Sequence, residues 1–407
     1  MTYLVGLFAV ALLLFVAYKL GNLRDISAPF KSLSFFKLQY LVIGMILVLF
    51  FPNEFMRLFE RTRGHIIMFC LSWIGLYYGC GLELRAHQKF SPKVILFNIF
   101  EPVIIFATIT LFGTVYFYFK YDGWSFTDVA FIIATFCSFT IFGRHGILKR
   151  EGNDSHHHVL DDLLPVGNVF PVIALCIIGI VLFSTRTVNI IGYSFTGIFP
   201  IFILNILLGT AGGVLLNMLI SGSESSDAIS IILVGGTALC GGIAYSFSFS
   251  PLFVGMVSGA FLINSTLKRL QTLAALNDTN EIIERIYMFI LGTILSPIIL
   301  ILKKDVLLIF LYALALFVFR SSLKYILSSL WTSHIQNEKN ASSLIWIGLT
   351  GQGILASGAV YECALYADLL PTVIMLFVTL LVLNQLTIGF YVWRKEQADN
   401  TKRVDYA

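Results

Sequence analysis

Long apolar blocks constrain this chain more than any other feature. "TYLVGLFAVALLLFVAYKL" (2–20), "ISIILVGGTALCGGIAYSFSFSPLFVGMVSGAFLI" (229–263) and "VLLIFLYALALFVFRSSLKYIL" (306–327) are examples. A helix that crosses the hydrocarbon of a bilayer needs about 20 mostly apolar residues. Blocks of that size recur along all 407 residues. Charged residues make up only 12% of the chain, about half the usual share of a soluble globular chain. The sequence therefore predicts an all-α polytopic membrane protein with about 13 transmembrane helices. Expected spans lie near 2–20, 33–51, 65–82, 94–118, 126–143, 163–184, 190–220, 228–247, 251–265, 283–302, 306–331, 342–362 and 369–393. The first block lacks a basic start and reads as a helix, not as a cleaved signal.

Residues 1–407 read as a single transmembrane domain with a short cytoplasmic tail at 394–407. No loop is large enough for a soluble domain, so a regulatory domain would be a separate subunit. Basic residues orient the chain. With an odd count of spans, a cytoplasmic C-terminus puts Lys19, Arg24, Lys31, Arg85, Lys89, Lys93, Arg144, Lys149, Arg150, Lys268, Arg269 and Arg285 inside as well. That bias follows the positive-inside rule and leaves the N-terminus outside. The basic 57–63 loop is the exception. The expected location is a plasma membrane, of the bacterial inner-membrane kind. The net charge of +4 is small and spread by this rule, so nucleic acid is not an expected partner.

The six cysteines all lie in or beside apolar blocks and lack metal-ligand spacing, so they read as small core residues. No cofactor or metal is expected, and no nucleophile or acid–base constellation marks an enzyme.

Two spans have unusual interiors. "ATFCSFTIFGRHG" (134–146) is rich in small polar residues, and "IGLTGQGILASGAVYE" (347–362) holds four glycines around Gln352. Small residues of this kind often form helix-packing faces. Their placement in opposite halves of the chain also fits a transporter built from inverted repeats. Regular helix is then expected to be lost over 134–143 and 348–356. A third segment, "DDLLPVGNVFPVIALCIIGIVLF" (161–183), opens with Asp161 and Asp162 and sets Asn168 between Pro165 and Pro171. The prolines loosen the helical ladder. An amide at Asn168 can offer an oxygen to a cation or a donor to an anion, but it cannot carry a proton.

These motifs appear in an order that resembles the monovalent cation:proton antiporter superfamily. "GCGLELRAHQKF" (79–90) is similar to that family's Gly-Leu-Glu helix end. "IAYSFSFSPLFVGMVSGAFLIN" (243–264) is similar to its Ser-Pro segment, and "IERIYMFILGTILSP" (283–297) to its Phe-x-x-x-Gly segment. "RSSLKYIL" and "IGLTGQGILASGAV" are similar to its last helix pair. The resemblance is greatest to the bacterial branch with 13 helices. It implies a homodimer with two crossed, broken helices, which carries a monovalent cation against protons by alternating access. It also implies an ion site at Ser138, Thr140, Asn168, Gly351 and Gln352. The chain departs from the family at that site. Where the family carries an Asn-Asp or Asp-Asp pair, Asn168 sits between Gly167 and Val169, and Phe139 replaces a proline.

A proton carrier must therefore be sought elsewhere. Asp162 lies about 9 Å before Asn168 along a helix axis. Asp161 and Asp162 thus read as a solvated helix start or a cation-gathering mouth. His156–His158 read as a solvated loop or a pH sensor. Glu101 lies inside the fourth expected span. Arg320 lies deep in the 306–331 span, with Lys324 one turn later on the same face. A charge at that depth needs a partner or a wet cavity. Glu101 and Glu362 are the candidate partners of Arg320, while Lys324 suits an interface and Glu83 suits solvent. The alternatives to cation:proton exchange are a carrier of an anion or small solute, or a non-transporting sensor or subunit.

Overall fold

The computed structural model describes residues 37–50, 53–83, 92–121, 133–134, 136–138, 176, 187–190, 193–223, 225–301, 306–331, 346, 353–366 and 374–387. These residues are helical apart from one short hairpin and the turns between helices. The elements are α1 (Leu38–Phe50), α2 (Asn53–Gly79), α3 (Pro92–Tyr121), β1 (Thr187–Ile190) and β2 (Tyr193–Thr196). They continue with α4 (Ile198–Ser221), α5 (Ser226–Ser246), α6 (Pro251–Ser265), α7 (Arg269–Ile301), α8 (Val306–Trp331) and α9 (Gly353–Tyr366). A final apolar helix, α10, covers Ile374–Thr387.

Among the described residues, three helices are long and apolar enough to cross a membrane: Ile198–Ser221, Ser226–Ser246 and Leu307–Trp331. Their burial pattern fits lipid. In α4 the covered face is Ile201, Asn205, Gly209, Gly212, Gly213, Leu216 and Ile220. The uncovered face carries Phe199, Ile203, Leu207 and Met218. The glycines and Asn205 point inward with a few large apolar residues, and the outward face is large and apolar, as helix association in a bilayer favours.

The chain divides into two compact units. The smaller comprises residues 1–64, 284–318 and 371–407. Within it α1 and α7 approach backbone to backbone. A Cβ on Gly44 would overlap the Phe289 carbonyl, and one on Gly292 would overlap the Leu41 carbonyl. At one end Lys37 Nζ donates to Glu284 Oε2 at 2.6 Å.

The larger unit comprises residues 65–283 and 319–370. Its centre is α6, covered on nearly all sides, with Leu252, Phe253, Val254, Gly255, Met256, Ser258, Gly259 and Leu262 all buried. A helix covered all round is a core helix. α2 packs against it backbone to backbone. Gly75 and Gly79 of α2 lie against the carbonyls of Leu252 and Met256, while Gly255 and Gly259 of α6 lie against those of Ser72 and Leu76. Each helix thus contributes a Gly-x-x-x-Gly pair, and any side chain at these positions would collide with backbone. α4 covers α6 through Gly209, Gly212 and Gly213, and Ser258 Oγ donates to the Gly209 carbonyl at 2.8 Å.

Several expected boundaries are corrected. The span expected from 190 begins at Ile198, after the antiparallel pair β1–β2, in which Thr187 faces Thr196 and Ile190 faces Tyr193. The run Thr187-Val188-Asn189-Ile190 favours extended backbone, since β-branched residues fit a pleated surface. The basic 57–63 stretch is not a loop but lies within α2, and α7 begins at Arg269, well before 283. Loss of helix was expected over 134–143 and 348–356. Residues 134, 136–138 and 353–356 are instead helical, and the rest of both stretches lies outside the described residues. The expected spans 2–20 and most of 126–143 and 163–184 lie outside them too.

Candidate functional site

The buried charges converge on one stretch of the larger unit. α3 presents Phe97, Glu101, Ile105 and Ile109 on its covered face. These residues recur every four positions, as one stripe of a helix does. Pro102 follows Glu101 inside the helix. It has no N–H to give the carbonyl one turn back, which loosens the ladder beside the carboxylate.

α8 runs antiparallel to α3. Phe97 lies 4.4 Å from Trp331, ring centroid to centroid, and Phe112 lies 5.3 Å from Phe319. Between these contacts α8 turns a polar stripe inward, with Arg320, Lys324 and Ser328 all at 0% exposure. Lys324 Nζ is 3.0 Å from Glu101 Oε1, and neither side chain has exposed surface. Arg320 Nε donates to the backbone carbonyl of Cys137 at 2.9 Å. Ser138, the next residue, is fully buried. Arg320 also interacts electrostatically with both Glu101 and Lys324. Three ionisable side chains from two helices thus lie together without solvent contact, and one of them, Arg320, bonds the Cys137 carbonyl.

This geometry bears on three expectations. Arg320, expected to need a partner at its depth, bonds the Cys137 carbonyl and interacts electrostatically with Glu101, and Lys324 pairs with Glu101 as well. Lys324 does not reach an interface, because the Glu101 carboxylate holds it inside. Glu83 is not left to solvent, since its carboxylate pairs with Arg269.

The same unit holds a second buried carboxylate. Glu362 on α9 is fully buried. Its Oε2 accepts from Ser250 Oγ at 2.5 Å, and its Oε1 accepts from the Leu252 N–H at 2.8 Å. Asn205 Oδ1 of α4 accepts from the Ser250 N–H at 3.0 Å. Sequence reasoning missed Asn205 and Ser250. Ser250 did carry a signal, because a serine immediately before a proline is a helix N-cap followed by N1.

Of the residues expected at the ion site, Ser138 is described and buried. Thr140, Asp161, Asp162, Asn168, Gly351 and Gln352 lie outside the described residues. Gly353 opens α9 with a φ of 56°, a left-handed backbone that glycine adopts without strain. Among the described residues, no cluster of His, Cys, Asp and Glu is placed to hold a metal ion.

No protein-family model matches the chain, and no curated protein matches it.

Proposed function

We propose that the protein is a secondary membrane transporter that exchanges a monovalent cation for protons by alternating access, with Glu101 as the exchanging carboxylate. The observation that carries this reading is the fully buried Glu101–Lys324 pair, 3.0 Å apart. A buried charge pair is costly to form and still costlier to break on one side only. A monovalent cation can replace the Lys324 ammonium at Glu101 if Lys324 gives up a proton. Conversely, a proton can return to Lys324 as the cation leaves. Each exchange conserves the charge of the buried group, so neither leaves an isolated ion in an apolar interior. Ser138 and the Cys137 carbonyl, beside Arg320, supply neutral oxygens at the same stretch.

The reading includes a fold of about 13 helices with inverted repeats and crossed broken helices. It also includes a homodimer in a bacterial inner membrane, with the N-terminus outside and the C-terminus in the cytoplasm. Motif order and basic-residue bias support these parts. Carriage of an anion or small solute is the second reading. It is favoured by two buried cationic side chains, Arg320 and Lys324, in one stretch.

The test is transport by the purified chain in liposomes that enclose a pH-sensitive dye, with a panel of alkali cations and of anions. A cation gradient should drive proton flux in the opposite direction, and Glu101→Gln should abolish it. Cation-driven flux that is unchanged in Glu101→Gln rejects Glu101 as the carrier. Flux driven only by anions selects the second reading.

A further inference from the structure

Helix α6 starts inside the protein, where its free N–H groups have no water to meet. All of them can be accounted for. Pro251 at the first position has none to satisfy. The Phe253 N–H donates to Ser250 Oγ at 3.0 Å, and the Val254 N–H to the Ser250 carbonyl at 2.9 Å. The remaining one, on Leu252, donates to Glu362, which is 110 residues away in sequence. The cap is therefore split between a local serine and a carboxylate from another helix.

The junction before α6 is strained. α5 ends with the Phe249 N–H bonded to the Ala244 carbonyl at 2.8 Å and the Ser248 N–H to that of Tyr245 at 3.0 Å. This helix-ending pattern requires a left-handed residue at Ser248, where glycine is usual. Ser248 has a φ of 59°. A side chain in that conformation costs about 1 kcal/mol or more. The α5–α6 corner thus holds an unfavourable conformation immediately beside the Glu362 contact.

We propose that Glu362 is a proton-operated latch: ionised, it binds α9 to the first turn of α6, and protonated, it releases that turn and the strained corner before it. Both contacts are at full strength when the carboxylate is ionised, because a charged acceptor makes a hydrogen bond roughly twice as strong as a neutral one. A proton on Oε1 would point a second donor at the Leu252 N–H. A proton on Oε2 would reverse the Ser250 contact, so that the carboxyl donates to Ser250 Oγ and both contacts become neutral. Either removes the negative charge that suits a helix N-terminus. The step transfers one proton and changes no covalent bond between heavy atoms.

Arg320 and Lys324 of α8 are buried cations in the same unit as Glu362, and the elements around this corner carry the following charges of their own. α4 and α6 contain no Asp, Glu, Lys, Arg or His, and the one charged residue of α5, Asp227, is in its first turn, at the end away from Ser250. On α2, whose Leu71 lies under Gly358 of α9, the charged residues all precede Gly64, and His65 lies six residues before Leu71. The titratable groups on α9 itself are Tyr361, Cys363 and Tyr366. The inference does not depend on exchange at Glu101.

Hydrogen exchange of the full chain in nanodiscs tests it, with peptides over 247–254 followed from alkaline to acid pH and corrected for the intrinsic pH dependence of exchange. In the wild type, protection of this stretch should fall about tenfold on acidification (about 1.4 kcal/mol), while α6 beyond Met256 stays protected. Glu362→Gln should show the low value at every pH. Ser250→Ala, which keeps the Leu252 contact, should move the transition to higher pH. Wild-type protection that does not vary with pH overturns the latch, as does a Ser250→Ala transition at the wild-type pH. The measurement needs no transport, so its failure and the failure of the exchange reading are separately visible.

Discussion

The Lys324 ammonium sits 3.0 Å from the Glu101 carboxylate, and neither side chain reaches the surface. Removing one partner strands the other charge, which costs about 3–5 kcal/mol in a buried pair. Glu101→Gln and Lys324→Met should each lower stability by roughly that amount. The double variant should lose clearly less than the sum of the two. Thermal unfolding in detergent of the four members of the cycle measures the coupling. Additive losses would show that the pair is not an energetic unit.

A second expectation concerns the α2–α6 contact. Gly255→Ala pushes a methyl group into the Ser72 carbonyl. The helices must separate, at a cost of about 1–3 kcal/mol. Gly235→Ala, on α5, meets nothing within 4 Å. It should be neutral or gain up to about 1 kcal/mol from helix propensity. Equal effects of the two substitutions in thermal unfolding would contradict the close approach.

Backbone strain makes a pair of opposite predictions. Ser248→Gly relieves the left-handed serine at φ 59° and should raise stability by about 1 kcal/mol. Gly353→Ala forces a side chain onto a φ of 56° and should lower it by about 1–2 kcal/mol. Urea or thermal melts of the two variants should move in opposite directions.

Asn168 lies outside the described residues, but its chemistry allows a direct test. A carboxylate there adds a titratable group that a bound cation and a proton would contest. Asn168→Asp should create or strengthen cation-dependent thermal shifts that vary with pH, and Asn168→Ala should weaken the native ion response. If neither variant alters that response, Asn168 serves packing alone.

The parts legible in the sequence were those set by hydropathy. The expected 251–265 and 306–331 spans coincide with α6 and α8, because Ser250-Pro251 and Asp305 interrupt the apolar run sharply. α2 and α7 extend past their apolar parts into polar stretches such as "RLQTLAALNDTNEIIER". Leu, Ala, Gln, Glu and Arg carry the helix through the weaker Asn277–Asn280 run after hydropathy has fallen, and a search for apolar blocks cannot see this. Glu101, Arg320 and Lys324 stood out as charges inside apolar blocks. That Lys324 joins Arg320 beside Glu101 needs a register correct to one turn, which is finer than a span boundary. The Glu362 contact with Ser250 joins residues 112 apart. No local pattern encodes that distance.

The glycines at 75, 79, 255 and 259 also bear on what the gene can tolerate. Each faces a backbone oxygen of the opposite helix, which no rotamer change can move aside. Every first- or second-base change in a glycine codon either adds a side chain or ends the chain. Variants should therefore be depleted at these four sites as severely as at a catalytic residue, although none of the four takes part in any chemistry. A mutational map of this protein would mark the α2–α6 seam as brightly as the buried charges, and only the seam's indifference to pH and ions would tell the two apart.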